Sequence, residues 1–423
     1  MTKAAKNAEN VIKNAPKSVP PIELLAPAGT FERLKTALYF GADAVYLGGK
    51  EFSLRAQSEN FSEADMRAAV EFTHGAGKKV YAAVNIFAFD ADFAPMADYI
   101  GLIDSLKFDG VIVSDPGVFA LVKKTAPNLP VHISTQANVT NKRAAAFWAE
   151  RGASRIVLAR ELSLGQIREI RDFLPSGVQI EAFVHGAMCM AYSGRCFMSA
   201  FLTDRSANRG ECAQCCRWSY AAVESNRQGE PLTVEGDGRG SYILNSRDLN
   251  MLPYIAELAD AGVTSFKIEG RTKTAYYVAN TVNAYRRALD RYRADPANFV
   301  LPPELEREPF KAAHRKYCAG FYLGNAETEF YESSQAESAY KFCAVVKSAG
   351  DGGVTVEQRN RFKAGETLEI LSPSNLFNKT LIVGKMLNLD GAPVSDAFKV
   401  GELLFLETNL PLQSGDILRR SAI

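Results

Sequence analysis

The chain has 423 residues, 47% of them hydrophobic and 23% charged, enough for one large domain with a smaller one beside it. Lys and Arg number 49 against 48 Asp and Glu, a formal net charge of +1. That balance excludes a generally basic nucleic-acid coat protein and leaves only a local patch for such binding.

Residues 1–19 carry scattered lysines and no apolar stretch. They are expected to form a flexible tail, neither signal nor anchor. No apolar run approaches the ~18–20 residues of a bilayer span, so no membrane partner is expected. A cytoplasmic location with reduced thiols follows as an expectation.

From residue 20 to 293, short apolar runs alternate with amphipathic stretches. Strands are expected over 22–26, 42–47, 79–84, 110–113, 131–133, 155–159, 178–184 and 265–268. Helices are expected over 62–75 with Ser62 as N-cap, then 92–106, 117–125, 141–151, 164–173, 246–261 and 272–291, besides one on Phe31, Leu34 and Leu38. Eight such units favour a (β/α)8 TIM-like barrel over an open doubly wound sheet. A cysteine-rich insertion, 186–240, follows strand seven. Residues 294–334 read as a charged, proline-containing connection. From 335 to 423 the pattern changes to short strands between Gly, Asn, Asp and Pro turns, expected at 342–346, 354–358, 367–371, 381–386, 403–407 and 416–418. That is the signature of a small β-barrel.

In a barrel, polar residues at the C-terminal strand ends share the rim where such enzymes place their chemistry. Here that rim would carry Asn85, Asp115, Ser134, Gln136, Arg160, Glu161, Glu181, His185, Lys267, Glu269 and Arg271. Some of these would serve only as caps of the following helices.

Five of the seven cysteines, Cys189, Cys196, Cys212, Cys215 and Cys216, crowd into one short run, HGAMCMAYSGRCFMSAFLTDRSANRGECAQCCRWSY. Converging thiolates suit a zinc ion or an iron–sulfur cluster. The spacing lacks the paired C-x2-C units of a zinc ribbon. Buried free thiols, a redox pair Cys212-x-x-Cys215 and a nucleophilic Cys189 with His185 as its base are the alternatives. The same run holds Arg195, Arg205, Arg209 and Arg217 among Tyr192, Trp218 and Tyr220. Cations interleaved with aromatics suit phosphates and unpaired bases, or offset the charge of a thiolate cluster.

The run Glu181-x-Phe183-x-x-Gly186-Ala187-Met188-Cys189, continuing Gly194-x-Cys196-x-Met198-Ser199, resembles the signature of the collagenase-like peptidase U family. ELLAPAG (23–29), Tyr46-Leu47-Gly48, NRGECAQCCRW (208–218), Lys267-Ile268-Glu269-Gly270-Arg271 and HRKYCAGFYLG (314–324) also look like landmarks of that family. The resemblance extends from residue 20 through the C-terminal β domain. Length and domain order most resemble the branch that makes 5-hydroxyuridine at the wobble position of tRNA.

That resemblance implies a [4Fe-4S] cluster on Cys189, Cys196, Cys212 and Cys216. Cys215 departs from the family pattern, so either of the last two could be the fourth ligand. It also implies prephenate, a dicarboxylate, as a co-substrate in an oxygen-independent hydroxylation. Arg160, Lys267 and Arg271, with Gln136 and Asn85, are the candidates for holding it. Gly270-Arg271-Thr272 would alternatively hold a phosphate. His185 and Glu181 are the candidate acid–base or orienting residues. Arg195, Arg209, Arg217 and Trp218 are the candidates for contacting the tRNA anticodon loop. The C-terminal domain resembles the second domain of translation elongation factors and would help position RNA, mediate a homo- or hetero-dimer with a paralogue, or act as a lid. The expected activity is a tRNA uridine hydroxylase. A collagenase-like peptidase and a non-catalytic RNA-binding or assembly factor with a structural metal site are the alternatives, although no H-E-x-x-H or G-x-S-x-G motif is present.

Overall fold

The computed structural model describes residues 21–54, 59–218, 220, 222–223, 231–232, 246–324 and 336–422. The expected tail, 1–19, and much of the insertion beyond residue 218 lie outside the described residues. Eight short strands carry the large domain: β1 (Glu23–Pro27), β2 (Ala44–Leu47), β3 (Lys79–Val84), β4 (Gly110–Val113), β5 (Val131–Ile133), β6 (Arg155–Val157), β7 (Gln179–Ala187) and β8 (Ser265–Ile268). Each pairs in parallel with its sequence neighbour. β8 pairs with both β7 and β1, so the sheet closes into the expected barrel. Closure explains the composition: strands such as AVYL and GVIV are buried along their whole length because helices cover one side and the barrel interior the other.

Helices α1 (Phe31–Tyr39), α2 (Glu63–Gly75), α3 (Phe93–Ser105), α4 (Pro116–Thr125), α5 (Lys142–Glu150) and α6 (Leu164–Phe173) form most of the outer layer. The residue before the first turn often fixes where the helix begins. Ser62 and Ser163 each form a reciprocal capping box, with Asp65 and Gln166 respectively, while Asp115 and Asn141 accept from first-turn amides. The short α7 (Met198–Thr203) lies in the cysteine segment, α8 (Ile255–Asp260) precedes β8, and the long α9 (Ala275–Ala294) follows it. The main apolar core lies between strands and helices. A separate small cluster of Leu25, Ala44, Tyr46, Tyr81 and Ile112 fills the barrel interior.

Three expectations need correction. The first half of the expected helix 246–261 is a strand, Asp248–Asn250, running antiparallel to β7, with Asp248 opposite Ala187 and Asn250 opposite His185. β7 projects past the barrel, and this segment takes up the backbone groups it would otherwise leave unpaired. The connection 294–334 is also partly ordered: it contains the helix α10 (Pro303–Arg307) and a strand, Tyr317–Cys318, that pairs with Asp248–Asn250. The expected strand 381–386 is two, Thr380–Ile382 and Met386–Asn388, placed on opposite flanks of the sheet.

The C-terminal domain is an eight-stranded sheet whose pairings are all antiparallel, centred on Tyr340–Gly350 and Gly353–Gln358, with its own buried core. It docks on the barrel beside α9. Phe342 stacks on Tyr276, and Arg287 donates to the carbonyls of Ser372 and Ser374.

Candidate active site

A cavity of about 280 Å³ opens at the C-terminal ends of the barrel strands. Its floor is apolar, made by Ala83, Ile112, Val157 and Phe183 beside Tyr46. One arc of its wall, above β3 and β5, carries the amides of Asn85 and Gln136. The other arc, above β6 and β8, carries Arg160, Lys267, Glu269 and Arg271. The cysteine segment forms the roof, with Cys189, Cys196, Cys212 and Cys216 all on the cavity. The fifth thiol, Cys215, is buried away from it, and its carbonyl accepts from Tyr220 Oη at 2.9 Å.

The segment is fastened to the barrel by its polar groups. Glu161 accepts from the backbone N–H of Ser193 at 2.5 Å and from its Oγ at 2.6 Å. The Asn208 side-chain amide both accepts from and donates to the backbone of Cys196, at 3.0 Å each way. Arg209 grips Asp92 with two bonds of 2.7 and 3.0 Å. Arg217 donates to the carbonyls of Ser246 and Met188 at 2.7 and 2.8 Å. Arg195 Nε donates to the Gln136 carbonyl at 2.7 Å. Gly186 has φ 107°, and a Cβ there would stand 2.5 Å from the Glu269 carbonyl, so only glycine allows β7 to pass this close to the rim.

All seven cysteines are free. Burial pushes the Cys216 thiol up, Arg217 draws it down, and Cys189, Cys212 and Cys196 act on it as neighbouring charges. The Gln214 backbone N–H donates to Cys212 Sγ at 3.4 Å. Among the described residues, no three His, Cys, Asp or Glu side chains are drawn as close together as one metal ion needs.

Beneath the floor runs a buried ion network. Glu181 takes Lys267 Nζ at 2.7 Å on one oxygen and Arg155 Nη1 at 2.9 Å on the other. Arg155 also reaches Glu23 at 2.7 Å. Burial alone would raise the Glu181 carboxyl, but Lys267 and Arg155 outweigh it and hold the group below the usual carboxylate range. Lys267 rises from this pair to the cavity, its ammonium 4.4 Å from the centre of the Tyr46 ring.

The expected site therefore divides. Asn85, Gln136, Arg160, Lys267, Arg271, Arg195 and the four cysteines share one cavity. Glu181 does not line it and reaches it only through Lys267. His185 does not line it either. Its ring lies on the helix side of β7, between Tyr277, Tyr285 and Tyr317. Burial depresses its pKa to about 3, so it is neutral at pH 7. Both were expected at the rim, but Glu181 faces the barrel interior below the floor, and the register shift against β8 between Phe183 and His185 turns His185 out of the barrel. Arg209 and Arg217, expected at RNA, hold the roof in place through Asp92 and through the Ser246 and Met188 carbonyls. Trp218 is 45% exposed.

Sequence reading missed Phe197 and Phe201. Both are 75% exposed, and Phe197 lines the cavity. An apolar residue in a sequence reads as core, so no signal marked them. A second cavity of about 180 Å³ lies behind the Met188–Gly194 stretch and shares Arg160 and Cys189 with the first.

Comparison with known proteins gives a consistent family. The profile of peptidase family U32 matches residues 29–331, and that of the peptidase family U32 C-terminal domain matches 338–419. The chain is 35% identical over 418 residues to tRNA hydroxylation protein P1 of Bacillus subtilis (strain 168), covering 98% of this chain and 97% of that protein. It is 43% identical over 408 residues to tRNA hydroxylation protein P of Helicobacter pylori (strain ATCC 700392 / 26695), covering 93% of each. It is 35% identical to a protein named collagenase from Porphyromonas gingivalis (strain ATCC BAA-308 / W83), covering 73% of this chain and 75% of that one. With both profiles matched in order and relatives aligned along nearly its whole length, the chain belongs to peptidase family U32.

Proposed function

We propose that the protein is an RNA-modifying enzyme that hydroxylates C5 of the tRNA wobble uridine without molecular oxygen, using a [4Fe-4S] cluster and prephenate. The observation that carries this reading is the cavity with four thiols on its roof and Arg160, Lys267 and Arg271 on one arc of its wall. Two relatives named as tRNA hydroxylation proteins align with nearly all of the chain.

Cys189, Cys196, Cys212 and Cys216 would hold the cluster. Four thiols on one cavity match the four thiolates of such a cluster, each sulfur binding a different iron. Once bound, the cluster supplies one-electron redox chemistry beside the cavity. The chain's own residues do the rest. Arg160, Lys267 and Arg271 bind the carboxylates of the acid. Glu181 holds the Lys267 ammonium in place from below.

A peptidase reading draws on the relative named collagenase. It requires a base for Cys189, and His185 is packed among tyrosines away from the cavity. The test uses anaerobically purified protein with unmodified tRNA and prephenate. 5-Hydroxyuridine in the nucleoside digest, lost in Cys196→Ser, is expected. Gelatin cleavage without hydroxyuridine would replace this reading with the peptidase.

A further inference from the structure

The amide pair on the cavity wall has a fixed polarity. The Leu54 backbone N–H donates to Asn85 Oδ1 at 3.3 Å, which turns Asn85 Nδ2 toward Gln136 Oε1 at 2.9 Å. Ser134 Oγ also donates to Gln136 Oε1, at 3.4 Å. A flip of Gln136 would set its NH2 against Asn85 Nδ2, donor to donor, so the Asn85 bond fixes its orientation. Its Nε2 has no acceptor among the described residues, and Gln136 lines the cavity. The chain thus offers the cavity an N–H donor held from behind by two further residues.

The floor below this donor is flat and apolar, and the rim above it is aromatic. Phe197 is the N-cap of α7 and Phe201 lies one turn further on, its N–H donating to the Phe197 carbonyl, so the two rings leave the segment on the same side. Both are 75% exposed, and among the described residues neither has a ring stacked on it. Arg195 is beside them on the rim. Its Nε is bound to the Gln136 carbonyl, and its outer guanidinium nitrogens are left for an anion. A planar heterocycle with a carbonyl edge, a phosphate and neighbouring stacked rings satisfies all of these groups together. That is a nucleotide in a single-stranded loop.

We propose that the cavity seats one pyrimidine turned out of an RNA loop, that Gln136 Nε2 selects a keto edge by donating to its carbonyl, and that Phe197 and Phe201 stack on the flanking bases. This deepens the RNA reading above and rests on it. Uracil presents a carbonyl at C4. Cytosine presents an amino group there, which would leave two donors facing each other. Among the described residues that line the cavity, Arg195 is the exposed cation, so stacking carries much of the binding.

The test measures binding of two stem-loop RNAs by fluorescence anisotropy. They differ only by uridine or cytidine at one loop position, and the protein is the full chain purified anaerobically. The wild type should prefer uridine by about tenfold or more. Gln136→Glu, which replaces the donor with an acceptor, should remove or reverse that preference. Gln136→Met should remove it without adding charge, and melting curves show whether each variant folds. Phe197→Ala with Phe201→Ala should weaken both loops alike by about tenfold or more, and Phe201→Trp should restore part of the loss. Equal wild-type affinity for the two loops, a preference that survives in folded Gln136→Met, or unchanged affinity in the double phenylalanine variant would overturn the proposal. So would loss of self-association, in place of RNA binding, in that double variant. None of these readouts depends on hydroxyuridine formation, so failure of the proposed reaction would appear separately.

Discussion

Glu181 and Lys267 face each other across β7 and β8 at 2.7 Å, both buried, with Arg155 on the second carboxylate oxygen. Glu181→Gln leaves two buried cations with only Glu23 to offset them, and breaking such a pair costs about 3–5 kcal/mol. The pH dependence follows from the depressed carboxyl. Its contribution is fully present above the unfolded value near about 4.3 and disappears as pH falls through the lower folded value. Urea unfolding of wild type and Glu181→Gln should therefore differ most at neutral pH, with the gap starting to shrink below about pH 4 and closing as pH falls through the folded value. A constant gap across that window would show that the pair does not carry the difference.

His185 provides a prediction of the opposite functional sense. Its pKa is depressed from 6.5 to about 3, first by burial and against the pull of Asp248 and Asn250. The folded protein prefers it neutral, while the unfolded chain protonates it near pH 6.5. Stability is thus full above about 6.5 and declines by roughly 1.4 kcal/mol per pH unit as acid is added, down to the folded value. His185→Gln should flatten the slope of unfolding free energy against pH between 4 and 6. It should also leave any step in the pH–rate profile between 6 and 8 unmoved. A step near neutrality that disappears in this variant would restore His185 as an acid–base group.

Periodicity located the barrel strands closely. β3, β4, β5 and β8 have the bounds their runs suggest, because strands covered on both sides keep apolar residues at most positions. Depth inside the barrel was not legible. Glu181 and Lys267 both sit near strand ends in the sequence, yet one lies below the floor and the other reaches through it. Asp248–Asn250 was illegible for a different reason: the triplet DLN has no strand propensity and pairs only because β7 overhangs. The cysteine crowding predicted a shared site, and the cavity gathers four of the thiols. Local sequence could not separate Cys215 from Cys216, since neighbours in a tight turn point in different directions.

That separation is testable. Cys216 lines the cavity and its thiol interacts with those of Cys189, Cys196 and Cys212, whereas Cys215 is buried elsewhere. Cys216→Ser should lose iron, acid-labile sulfide and absorbance near ~400 nm in protein purified without oxygen. Cys215→Ser should retain all three and cost only a buried-thiol substitution in stability. The reverse pattern would assign the fourth ligand to Cys215.

The last prediction concerns how the two domains are joined. Arg419, fully buried on the C-terminal sheet, bonds Glu308 and Asn280 of the barrel side at 2.6 Å each and its own domain's Glu369 at 2.6 Å. Lys311 completes the cluster at 2.7 Å from Glu369 and 3.1 Å from Glu308. Two carboxylates thus share two cations across the junction. Burial would raise the Glu369 carboxyl, yet Arg419 and Lys311 hold it low. Arg419→Met removes one cation and leaves Glu308 and Glu369 competing for Lys311, at a cost of about 3–5 kcal/mol. Because that energy lies between domains, the loss should uncouple them: calorimetry of the variant should resolve two transitions where the wild type gives one. Glu308→Gln in the same background should recover part of the loss, since it removes the carboxylate the mutation orphaned. A single transition at the wild-type temperature in Arg419→Met would mean that apolar contacts such as Tyr276 on Phe342 hold the domains together without the ion cluster.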